Sequence, residues 1–110
     1  MTLPLELAQA QLKASGKLFL EVFAHGTLSV EIYQPIGKDL QQPHDRDEVY
    51  VIISGTGNFL CGDEIKPFAP GDLLFVPAGV EHRFLDFSED FMTWVIFYGP
   101  VGGESEMFGR

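Results

Sequence analysis

The sequence predicts an all-β domain, a sandwich or a barrel, preceded by one short helix. Three observations lead there. Short runs of β-forming residues recur from about residue 17 to residue 98. Turn residues separate them at Gly55-Thr56-Gly57, Gly62-Asp63, Pro70-Gly71 and Pro77-Ala78-Gly79. The spaces between the runs are too short for helices, which argues against an α/β arrangement. With 110 residues, 45% of them hydrophobic and ten phenylalanines, the chain suits one folded domain. A chain of that size buries about two thirds of its unfolded surface, enough for one core.

The first element is a helix over residues 4–13. Leu5, Ala8 and Leu12 fall on one face, Glu6 lies in the first turn, Lys13 in the last, and Gly16 supplies the stop. The period then changes from 3.6 to 2. KLFLEVFA (17–24) is β-rich, His25-Gly26 signals a hairpin, and TLSVEIY (27–33) alternates. Its Leu28, Val30 and Ile32 are expected on the buried face, with Thr27, Ser29, Glu31 and Tyr33 opposite. Further strands are expected at about 48–53, 57–61, 64–68, 72–76, 82–87 and 91–97. VYVII and LLFV are apolar without alternation, so both their faces need cover, from the N-terminal segment or from a second subunit. A homodimer follows as an expectation. The glycine-rich tail 99–110 reads as loose.

Charge narrows the partners. Sixteen acidic and seven basic residues give a net charge of −9, with no Lys/Arg cluster for phosphate, so nucleic acid and anionic membrane are poor partners. The longest apolar run, Leu73 to Val80, is far short of the ~20 residues of a membrane helix. A single cysteine, Cys61, excludes an intramolecular disulfide and a cysteine-based zinc site. The N-terminal MTLPLELAQAQLK lacks a basic leader, which makes the cytoplasm the expected location.

Candidate ligands cluster in QPHDRDEVY. Gln42, His44 and Glu48 offer an amide oxygen, an imidazole and a carboxylate, all donors to a borderline divalent metal. Residues two apart on an extended chain face the same way, so Gln42 and His44 can converge, with a turn at Asp45-Arg46-Asp47 returning Glu48. A fourth donor comes from GDLLFVPAGVEHRFLD, where a strand ends at Pro77, the Pro-Ala-Gly turn reverses the chain, and His82 begins the next strand.

These two stretches resemble the two-part signature of the cupin superfamily. The first part reads Gly37, Gln42, His44, Glu48 and Gly55; the second reads Gly71, Pro77, Gly79, His82 and Asp86, with every spacing of the second kept. Gln42 stands where the family has a histidine, Asp86 where it has an asparagine, and the interval from Gly37 to Gln42 is one residue short. The resemblance implies a double-stranded β-helix, the jelly-roll cupin barrel. It also implies that His44, Glu48 and His82, with Gln42 in the remaining slot, converge inside the barrel on a divalent metal (Fe, Mn, Zn or Ni). Two imidazoles and a carboxylate are the facial triad of non-haem Fe(II), with positions left for other ligands.

Two function classes stay open on the sequence. One is a metal-dependent enzyme on a small organic molecule, of dioxygenase or isomerase type. The other is a non-catalytic small-molecule binding or sensing module with a vestigial metal site. The enzyme needs a base beyond the ligands, and Asp86 is the nearest candidate. His25 reads as a surface turn residue, Cys61 as a strand-end core residue, Asp45-Arg46-Asp47 as a solvated turn and Arg83 as outward-facing. Phe84 is expected to line a pocket on the His82 side.

Overall fold

The computed structural model describes residues 1–105, so the expectation of a loose tail lies, for residues 106–110, outside the described residues. One helix, α1 (Leu5–Ser15), precedes eight strands: β1 (Phe19–His25), β2 (Leu28–Tyr33), β3 (Asp47–Ser54), β4 (Gly57–Cys61), β5 (Glu64–Phe68), β6 (Leu73–Val76), β7 (His82–Leu85) and β8 (Met92–Tyr98). The helix starts one residue later and ends two later than its apolar spacing indicates, closed by Gly16 in the left-handed conformation (φ 69°). The strands form two antiparallel sheets, ordered β1-β2-β8-β3-β6 and β5-β4-β7. This is the two-sheet jelly roll that the sequence predicts.

Between the sheets lies a core of Tyr50, Ile52, Phe59, Phe68, Val76, Phe84, Phe91, Val95 and Phe97. Edge-to-face and tilted ring contacts run through it, Phe84 meeting Tyr50, Phe59, Phe68 and Phe91 at centroid distances of 4.6–5.4 Å. Phe84 is therefore a core residue, not the wall of an open pocket. Gly55, on the β3–β4 turn, is confined from both directions. Its φ of 85° disfavours a side chain, and an added Cβ would lie 2.5 Å from the Phe91 Cα.

A second, smaller core sits outside the barrel. Ala8 and Leu12 of α1 pack on Ile32 and Met92, with Leu20, Val22, Ile53 and Trp94 around them. This corrects the reading of TLSVEIY. Of its apolar face only Ile32 is buried, under the helix, with Leu28 and Val30 partly exposed; the barrel interior receives the other face, Ser29, Glu31 and Tyr33, on the same side as Val95 and Phe97. The helix covers only part of the large sheet. On β6, Leu73 and Phe75 remain 65% and 48% exposed, beside half-buried Val49 and Val51.

The seam between the sheets is closed by side chains of an irregular segment. Asp39, in the β2–β3 connection, accepts the backbone N–H of Phe84 on the free edge of β7 at 2.9 Å. Its carboxylate also accepts from the Tyr33 hydroxyl and from the backbone and side-chain amides of Gln41. Asp47 closes the other end. Instead of belonging to a solvated turn it is buried, accepting from the N–H groups of Ala78 and Glu104. Gly99 donates to the Thr27 hydroxyl and Gly102 to the Asp45 carbonyl, so the start of the tail is hydrogen-bonded to the barrel.

Candidate metal centre

Three of the four predicted ligands meet. Glu48 is the second residue of β3, inward-facing and fully buried in a row with Phe97 and Val76. His82 opens β7, 2% exposed and paired with Cys61. His44 comes from the β2–β3 connection and is fixed by the Pro77-Ala78-Gly79 turn, because Gly79 donates its N–H to the His44 carbonyl at 2.7 Å. That bond and the one from Ala78 to Asp47 tie the two sequence motifs together. One donor atom from each of His44, Glu48 and His82 lies within 4.8 Å of the others.

His44 Nδ1 is 3.1 Å from Glu48 Oε1, and His82 Nε2 is 3.2 Å from the same oxygen. The rings of His44 and His82 are 5.1 Å apart. His82 Nδ1 lies 2.9 Å from the Val80 carbonyl, an acceptor, so Nδ1 carries a hydrogen and Nε2 faces Glu48, where a cation can take the place of its proton. Burial alone raises the Glu48 carboxyl, but hydrogen bonds from His44 and His82 outweigh it and hold the group down at about 2. Burial likewise lowers His82, and here too Glu48 and the Val80 carbonyl prevail, so its pKa is raised.

The donor set fits a divalent cation. Glu48 Oε2 is buried without a hydrogen-bond partner, and buried His82 Nε2 has only Glu48 Oε1 near it, at 3.2 Å. Leaving such groups unpaired is costly, and a cation between them satisfies both. The side chain of His44 is one-third exposed and marks the open side of the cluster, where Phe97 packs edge-on against it at 4.9 Å.

The other predicted site residues lie elsewhere. Gln42 is exposed and hydrogen-bonds to none of the three among the described residues. Facing the same way as His44 required an extended chain, but the β2–β3 connection is irregular and held by Asp39. The neighbouring amide turns inward instead: Gln41 Oε1 accepts from the Tyr50 hydroxyl at 3.1 Å while its Nε2 donates to Asp39. Asp86 is exposed just beyond β7 with φ 51°, a turn conformation that Asp tolerates, and does not enter the barrel. His25 is exposed at the β1–β2 turn, and Arg83 faces away from the centre. Cys61 is partly buried against the core, which pushes its thiol up.

Three participants were not anticipated. Tyr50 and Gln41 stand behind Glu48, and their contacts depend on folding that no local pattern encodes. Glu31 is half-buried on the barrel side of β2; burial, then the charge of Glu48, raises its pKa. The alternation of TLSVEIY carries its placement once the helix is known to cover the apolar face.

Residues 29–98 match the cupin domain family, of the cupin-2 type. This chain belongs to the cupin family. An uncharacterised protein of Streptomyces coelicolor is 35% identical over 98 residues, 87% of this cupin and 93% of the relative. Among solved structures, a Neisseria meningitidis protein superposes with a TM-score of 0.72 at 20% identity, covering 90% of this chain and 100% of that one. A putative mannose-6-phosphate isomerase from Ralstonia eutropha gives 0.58 at 24% identity, over 74% and 83% of the two chains. At those identities the likeness to solved structures is one of fold. No helix of the described cupin chain is long and apolar enough to cross a membrane.

Proposed function

We propose that this cupin is a metal-dependent enzyme acting on a small organic molecule, with His44, Glu48 and His82 as the protein ligands of one divalent cation. The observation that carries the reading is the convergence of buried donor atoms in a three-residue cluster, with Glu48 Oε2 lacking any hydrogen-bond partner and His82 Nε2 having only Glu48 Oε1 near it. Fe, Mn, Zn and Ni all suit two imidazoles and a carboxylate. When bound, such a cation supplies Lewis acidity towards a carbonyl, as isomerase chemistry needs, or a shared site for O₂ and substrate, as dioxygenase chemistry needs. The chain's own residues do the rest. Glu48 supplies the compensating negative charge, Val80 fixes the His82 tautomer, and His44 stands at the open side.

The second reading is a binding or sensing module, and the exposure of Gln42 favours it, since it leaves three protein ligands where the family motif has four. Metal analysis of the purified protein, with oxygen uptake on enols and phenols and isomerisation of aldoses measured in parallel, separates the two. Stoichiometric metal with turnover supports the enzyme; metal without turnover in either assay supports the module.

We further infer a homodimer formed through the uncovered part of the large sheet, where Leu73 and Phe75 face outward. A cytoplasmic location suits a protein whose single thiol is unpaired.

A further inference from the structure

The barrel side of β1 and β2 is polar where a packed core would be apolar. Glu21 and Glu31 stand directly opposite each other in the β1–β2 register, and Ser29 donates to Glu21 at 2.6 Å. Glu31 makes no side-chain hydrogen bond among the described residues. Like charges opposite one another weaken a sheet, so the pair opposes stability. Its surroundings relate it to the metal centre. Glu31 shares a row across the sheet with Val95 and Tyr50, next to the row of Ser29, Phe97 and Glu48. The charges of Glu48 and His44 both act on it. It is half-buried, and the His44 side chain is one-third exposed, whereas Glu48 and His82 are closed off.

The chemistry of that wall selects a ligand. Ionised carboxylates only accept hydrogen bonds, so they recognise hydroxyl or amine donors and repel anions. The nearby cation, Arg46, donates to the Thr27 carbonyl and lies over the Phe97 ring at 5.7 Å. Glu21 and Glu31 repel a phosphate or carboxylate at that wall, and the net charge of −9 adds to the repulsion. The unpartnered Glu48 Oε2, in the next row of the sheet, marks the place where the reacting end of the ligand is held.

We propose that Glu31 is a substrate-binding residue of this site and that the substrate is a neutral, hydroxyl-bearing small molecule of the polyol or sugar class. The proposal rests on the reading of His44, Glu48 and His82 as a metal centre. Glu31 accepts a substrate hydroxyl while the adjoining oxygen or carbonyl of the substrate faces the centre.

The test uses the Mn²⁺-loaded full-length protein and the paramagnetic relaxation of ligand protons, with D-xylose as the neutral probe and D-xylonate as its anionic counterpart. Glu31→Gln keeps the shape and removes the charge. It is expected to weaken D-xylose binding about five-fold, the difference between a charged and a neutral acceptor, and to tighten D-xylonate binding. Effects of opposite sign on the two probes support the proposal, and a Glu31→Asp variant that keeps the wild-type order of the probes supports it further. Effects of the same sign on both probes, or none, overturn it. Relaxation of bulk water reports Mn²⁺ binding independently: a wild-type protein that binds no Mn²⁺ overturns the metal reading itself and this proposal with it. Retained Mn²⁺ binding with no response of either probe to Glu31→Gln overturns the proposal alone.

Discussion

Asp39 and Phe84, 45 residues apart in sequence, are joined by a 2.9 Å hydrogen bond from the Phe84 backbone to the Asp39 carboxylate, and this bond closes the barrel. The free edge of β7 has no strand beside it, so a side chain supplies the acceptor that a neighbouring strand would have supplied. Replacing Asp39 by alanine leaves the buried Phe84 N–H without a partner and releases Tyr33 and Gln41. Because each buried orphan costs about 1–3 kcal/mol, Asp39→Ala is expected to lose about 3 kcal/mol or more of stability in urea denaturation. Asp39→Asn, which turns an NH₂ towards donors, is expected to lose about half of that.

Gly55→Ala is expected to be at least as damaging. The new Cβ meets the Phe91 backbone at 2.5 Å, and φ of 85° strains any side chain. Backbone displacement of that kind costs about 3 kcal/mol or more. Gly79→Ala, also at positive φ (80°) but with open space around the added atom, should cost only about 1 kcal/mol. The difference between the two in thermal denaturation checks the close approach at Gly55.

Asp86 offers the opposite sign. It is exposed at φ 51°, so Asp86→Gly relieves strain and is expected to leave stability unchanged or raise it by up to about 1 kcal/mol. Metal affinity and any turnover should not change. A large loss of turnover in Asp86→Gly would restore Asp86 as a catalytic candidate.

The metal-free protein should be acid-sensitive through Glu48. Its folded-state pKa is depressed from 4.5 to about 2, so folding favours the ionised form. That contribution is present in full above about pH 4.5 and is lost as pH falls through about 2. Glu48→Gln should flatten this part of the pH–stability curve, measured by denaturation midpoints from pH 6 down to pH 2.

The homodimer is tested by light scattering at tens of micromolar. The wild type is expected at twice the chain mass and Phe75→Glu at the chain mass, because the charge falls in the middle of the exposed apolar strip of β6. A wild-type monomer would contradict the interface.

Much of this structure is legible in the sequence, and the limits have physical causes. The strand runs and the turns at Gly62-Asp63 and Pro77-Ala78-Gly79 follow from period and spacing, which are local and repeat reliably. The meeting of His44, Glu48 and His82 is instead what the resemblance of their two stretches to the cupin signature implies. Gln42 fails because its placement assumed an extended chain, whereas the β2–β3 connection takes its shape from distant partners of Asp39. Asp47 fails for the same reason, since its donors are 31 and 57 residues away. Glu31 shows a subtler limit. Alternation separates two faces correctly but does not say which faces the barrel, and here the helix takes the apolar one.

The central claim is that His44, Glu48 and His82 hold a cation, and thermal denaturation with added metal tests it most directly. A cation that binds only the folded state raises the melting temperature with its concentration. The wild type should show that rise with Mn²⁺, Fe²⁺ or Zn²⁺, Gln42→Ala should match it, and His82→Ala should melt at one temperature with and without metal. Wild type and His82→Ala responding alike to every metal would contradict the account.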